Sequence, residues 1–142
     1  MNLIKKHNVE FLTEGILLHE RDFGIALGRI YSNQILHVYF FSGAHITIDF
    51  VDLVYDFINE NGGQSYLNLF EFEVNVDIDP EVRAWASAPA GNLNTIADAL
   101  VIKSLAHKML ANFYVKINKP IKPTKIFTSQ EKALNWLISL KK

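Results

Sequence analysis

The chain is 142 residues long, 49% hydrophobic and 20% charged, with no cysteine and a formal net charge of −1. That is one domain's worth of chain, able to bury roughly 68–70% of its unfolded surface, so no disulfide or metal staple is required. The absence of cysteine excludes disulfide frameworks, thiolate zinc sites, iron–sulfur clusters and cysteine nucleophiles, and near-neutral charge argues against a protein built mainly for nucleic acid.

Residues 1–8 carry two lysines but no apolar run ending in a small-residue cleavage site, so no secretory signal is expected. No stretch reaches the roughly 18 continuous apolar residues of a membrane span. A soluble, cytoplasmic protein is expected. Residues 9–12 and 16–19 read either as two short strands about Glu14-Gly15, the preferred reading, or as part of one frayed helix, inside an N-terminal extension (1–23) packed on the main domain (24–142). Residues 24–31 and 35–41 are rich in β-branched and aromatic side chains around Ser32-Asn33-Gln34, which predicts an antiparallel hairpin.

Gly43 ends that pair and a helix follows. Thr47 is placed to cap it, Asp49 sits in its positive first turn, and Val51, Val54, Tyr55 and Ile58 recur at helical spacing. Asn61-Gly62-Gly63 stops it. Residues 66–74 alternate Leu67, Leu69, Phe72 and Val74 with Asn68, Glu71 and Glu73, the pattern of a strand that begins buried and ends near solvent. Asp79 then reads as the N-cap of a short helix with Pro80 at its first position, broken at Ala88-Pro89-Ala90-Gly91.

Residues 96–102 predict a buried strand, and a helix from Ser104 should turn Ala106, Met109, Leu110 and Phe113 inward. Pro120 and Pro123 force an extended segment over 118–124, with Lys119 and Lys122 pointing outward. A short strand at 125–127 precedes Thr128-Ser129-Gln130-Glu131, which fits a capping box with Thr128 as the cap. Ala133, Trp136, Leu137 and Leu140 line one face of the final helix. The order of hairpin, then alternating helices and strands, predicts an α/β fold. Its mixed sheet should have four to five strands, mostly parallel after the hairpin, covered by about four helices.

The second half carries a pattern of asparagine-phenylalanine (Asn112-Phe113), asparagine-lysine-proline (Asn118-Lys119-Pro120), proline-threonine (Pro123-Thr124) and alanine-leucine-x-tryptophan-leucine (133–137). It resembles small bacterial SpoIIAA-like proteins, which are related to STAS and CRAL-TRIO domains. Residues 35–38 and 81–84 resemble earlier marks of the same family, and the likeness covers about residues 25–140. The resemblance implies a sheet of four or five strands flanked by helices. In STAS-type antagonists a serine after the central strand is phosphorylated; the matching stretch here, 69–83, contains no serine or threonine.

No chemistry stands out from the residues. His7, His19, His37, His45 and His107 lack ligand spacing, and no nucleophile elbow or phosphate-binding loop occurs. Asp49, Asp52, Asp56 and Glu60 read as a solvated helix stripe. Asp98 interrupts an apolar strand, where it is expected to face solvent or accept backbone donors. Arg83 is expected to pair with a nearby carboxylate. Charge is polarised: residues 49–83 hold nine acids and one base, and residues 100–142 hold nine lysines and one acid.

The expected function is a non-catalytic protein-interaction or regulatory module, its surface formed by Arg83, Trp85, Lys119 and Lys122. The alternative is a small carrier of an apolar ligand or lipid, as the CRAL-TRIO relationship implies. No catalytic, cofactor-binding or metal-binding residue is assigned, and no cofactor is implied. The expected partner is an unidentified protein, with a homodimer and a small apolar ligand left open, and neither nucleic acid nor a membrane span. A large enclosed apolar pocket would favour the carrier, and a flat apolar patch rimmed by charge would favour the interaction module.

Overall fold

Antiparallel pairing of Ala26–Tyr31 (β2) with Ile35–Phe40 (β3) forms the hairpin at the predicted place. The computed structural model describes residues 14–141. The strand expected at 9–12 lies outside them. Leu17–Asp22 (β1) pairs antiparallel with the outer side of β2, so part of the segment read as an extension is a strand of the main sheet.

After β3 every strand of the sheet runs parallel to its neighbour. Tyr66–Phe72 (β5) follows β3, then Thr95–Val101 (β7), then Thr124–Phe127 (β8), giving the order β1-β2-β3-β5-β7-β8. Parallel neighbours need long crossovers, and helices supply them: Ile48–Glu60 (α1), Pro80–Ser87 (α2) and Leu105–Phe113 (α3). The fold is α/β with a mixed sheet, as expected, but the sheet has six strands rather than four to five. A separate two-residue parallel ladder, His45–Ile46 (β4) with Asp77–Ile78 (β6), was not anticipated.

The two faces are packed differently. On one, Phe57, Phe50 and Ile58 of α1 join Val38, Phe40 and Phe72 of the sheet. Gly28 is required beneath this layer, because a Cβ there would lie 2.6 Å from the Phe23 ring, which stands edge-on to Phe50 and Phe57. On the other face Ala97, Ala99 and Val101 of β7 present short side chains, and Gln130–Ser139 (α4) settles onto them through Ala133, Leu134 and Leu137. Covering both faces keeps β5 buried, Asn68 and Glu71 included, except at half-buried Phe70, and the segment then emerges at Glu73 and the exposed Val74, near solvent as expected.

Three local readings are corrected. Ser129, not Thr128, caps α4: its hydroxyl accepts from the Lys132 N–H at 3.3 Å. Asp79 precedes α2 without a side-chain capping bond, because its carboxylate turns to His45 Nε2 at 2.9 Å. Met109 is 65% exposed instead of facing inward. Thr47 does cap α1, accepting from the Phe50 N–H at 3.3 Å.

Candidate ligand pocket

The apolar stripe read on α1 does not close fully against the sheet. Val51, Val54, Tyr55 and Ile58 instead line a cavity of about 200 Å³ between the sheet and the three crossover helices. Its floor is Leu36, Phe70, Phe72 and Leu100, and Val82, Ala86 and Ala111 wall it from α2 and α3. The space follows from short elements and small side chains. α2 is only eight residues long and gives way to a tight turn at Pro89–Asn92. Gly91 lets that turn sit against the helix end, since a Cβ there would lie 2.2 Å from the Trp85 carbonyl oxygen.

One end of the cavity is polar. Asn68 and Asp98 are register partners on β5 and β7, so their side chains emerge side by side on the same face. Asn68 Nδ2 donates to Asp98 Oδ1 at 3.0 Å and to Thr95 Oγ1 at 3.1 Å. Lys122 Nζ sits 3.1 Å from Asp98 Oδ2 and also donates to the carbonyl of Ala86 at the end of α2, which accepts from Asn92 Nδ2 as well. The proline segment brings Lys122 there. The Asp98 N–H donates to the Pro123 carbonyl at 2.9 Å, in line with β8.

Tyr114 completes this end, at the start of a single π-helical turn over Tyr114–Asn118. Its hydroxyl is buried and, among the described residues, has no hydrogen-bond partner; the same is true of Asn68 Oδ1. Burial raises the Asp98 carboxyl above its ordinary range, opposed by Lys122 and Asn68. Burial, reinforced by the Asp98 charge, raises the Tyr114 hydroxyl as well, so it stays a proton donor.

Of the four residues read from sequence as a surface, the structure brings Arg83, Trp85 and Lys122 to the lining of this one cavity and leaves Lys119 outside it. Lys122 is 8% exposed, contrary to the outward position expected; an ammonium enters an interior only with a partner, and Asp98 is that partner. Asp98 is correspondingly buried and paired, not solvent-facing. Arg83 lines the cavity and donates to the Ile78 carbonyl at 2.8 Å, with no ion pair among the described residues. Trp85 also lines it, its ring edge-on to Tyr55 at 5.6 Å. Lys119 is exposed and lies apart from the pocket lining. Asn68, Thr95 and Tyr114 were not singled out from sequence, although a polar side chain within an apolar strand was the available signal for Asn68.

A second buried polar group lies beneath α4. His37 Nε2 is 3.1 Å from Glu71 Oε1, which also accepts from Gln130 Nε2 at 2.9 Å. His107, at the cavity, donates from Nε2 to the Val76 carbonyl at 2.8 Å. No group of three or more His, Asp or Glu side chains among the described residues is arranged to hold a metal ion. No helix among them is long and apolar enough to cross a membrane.

A sequence model of a family described as a domain of unknown function, DUF7793, matches residues 29–141. No curated protein matches the chain. Among solved structures, it is similar to a crystal structure of a protein with unknown function from Arthrobacter sp. FB24. The identity is 24%, over 78% of this chain and 97% of that one, with a TM-score of 0.27. So loose a superposition transfers nothing.

Proposed function

The chain belongs to the DUF7793 family, and we propose that it binds a small, largely apolar molecule in the cavity between the sheet and α1–α3, as a carrier or sensor. The observation behind this reading is the cavity itself: about 200 Å³, walled mainly by aromatic and aliphatic side chains, with Asn68, Asp98 and Lys122 grouped at one end and Arg83 and His107 also on its lining. An apolar cavity of about 150 Å³ already admits benzene. The pocket is partly open at the surface and reaches into the main apolar cluster, where a close-packed core leaves few voids larger than a water molecule.

The polar end supports binding over catalysis. Asp98 and Lys122 are engaged with each other, with Asn68 and with a helix carbonyl, so neither stands as a free base or nucleophile. The reading favours the carrier side of the SpoIIAA-like resemblance, and the lack of any serine or threonine in residues 69–83 speaks against a phospho-switch. A ligand this small gains at best about 1.5 kcal/mol per non-hydrogen atom, so modest affinity is expected.

Titration of isotope-labelled protein with benzene, followed by NMR, tests the proposal. Saturable shifts at Val82, Leu100 and Ala111 are expected in the wild type. They should vanish in Ala111→Phe, whose added ring occupies the space while the protein stays folded. Unsaturable or scattered shifts in the wild type would overturn the reading.

A further inference from the structure

The polar end of the pocket holds an unmatched set of hydrogen-bonding groups, and that set specifies a ligand chemistry. Asn68 Oδ1 is an acceptor and the Tyr114 hydroxyl a donor and acceptor, both buried and without partners among the described residues. Lys122 carries three N–H donors, of which one goes to Asp98 and one to the Ala86 carbonyl. All three residues line the same cavity as Asp98. Buried polar groups of this kind cost free energy until something satisfies them.

Resting on the pocket proposed above, we infer that its ligand carries a single uncharged hydroxyl, held by Tyr114, Asn68 and Lys122, with its apolar body in the remaining space. Charge decides against the alternatives. Asp98 and Lys122 already neutralise each other, so a charged head held by this set would be a third charge beside a completed pair; Arg83, the other charged side chain on the lining, donates to the Ile78 carbonyl and is not part of the set. A carboxylate only accepts; it would leave Asn68 Oδ1 unmatched and lie close to Asp98. An ammonium only donates and would face Lys122. A hydroxyl donates and accepts through one atom, which answers both kinds of orphan. The volume fits a phenol or a cyclic alcohol slightly larger than benzene.

Phenol and toluene have nearly the same shape and differ in the hydroxyl, so calorimetric titration with both isolates its contribution. Benzoate and benzylammonium supply the two charged heads. In the wild type, phenol should bind at least about tenfold tighter than toluene, and both ions more weakly than phenol. Tyr114→Phe should keep toluene affinity and shrink the phenol preference to about threefold or less. Equal binding of phenol and toluene would overturn the hydroxyl assignment and leave the apolar pocket standing, as would tighter binding of either ion. Absence of binding by phenol and toluene alike would overturn both. An unchanged preference in Tyr114→Phe would remove Tyr114 from the assignment; if that variant does not fold, Asn68→Leu, with the same expected loss of preference, replaces it.

Discussion

Lys122 Nζ lies 3.1 Å from Asp98 Oδ2, with the two side chains 5% and 8% exposed. The pair pins the segment between α3 and β8 to the middle of β7 and makes the polar end of a mainly apolar cavity. Taking both charges out of water is costly, and their attraction repays it only with good geometry and further hydrogen bonds. Asn68 and the Ala86 carbonyl provide those bonds.

Breaking the pair should therefore cost more than deleting it. Lys122→Met leaves a buried carboxylate and should destabilise the protein by about 3–5 kcal/mol. The double variant Asp98→Leu with Lys122→Met should be clearly more stable than the sum of its single changes implies. Urea unfolding of the four proteins checks this. Additive losses would mean that the two side chains do not interact as described.

The capping bond of α4 makes a sharp local prediction. Ser129→Ala removes the acceptor for the Lys132 N–H and should cost about 1 kcal/mol, within roughly 0.5–2. Thr128→Ala changes an exposed side chain before the cap and should stay within about 0.5 kcal/mol of wild type. Denaturant midpoints of the two variants in the opposite order would place the helix start one residue earlier.

Acid should weaken the fold first through His37. Burial holds its imidazole below the ordinary value of 6.5, against the pull of Glu71. The unfolded chain then binds a proton that the folded chain does not, so stability is full above 6.5 and is lost as pH falls below it. For Glu71, burial favours a higher value, but the hydrogen bonds from His37 and Gln130 outweigh it and hold the carboxyl below 4.5. Its contribution is lost at still lower pH, with the same sign. Asp98 runs the other way: its raised carboxyl takes up a proton first in the folded state, which offsets part of the acid loss. Thermal midpoints should fall from about pH 7 to about pH 5 in the wild type and change less in His37→Gln. An equal slope in both would contradict this assignment.

Elements with local signals were legible in the sequence. The hairpin, the Thr47 cap, the Pro80 helix start and the order of helices and strands all follow from patterns a few residues long. The pocket was not, because it depends on register: Asn68 and Asp98 are 30 residues apart and meet only when β5 and β7 align. Lys122 between two prolines looked solvent-facing for the same reason, since nothing near it in sequence shows its partner. The charge split was legible as composition but not as geometry. Glu73 and Lys103, one from each charged segment, pair at 2.5 Å, whereas Asp49, Asp52 and Asp56 remain exposed on α1.

The central claim is that the space beneath α1–α3 accepts a small apolar guest. Crystallography under xenon pressure measures this directly, because xenon enters dry apolar cavities without needing polar contacts. The account predicts a xenon peak among Phe70, Val82, Leu100 and Ala111 in the wild type, and none there in Ala111→Phe. A wild-type map with no xenon at that position, or with side chains filling it, would contradict the account.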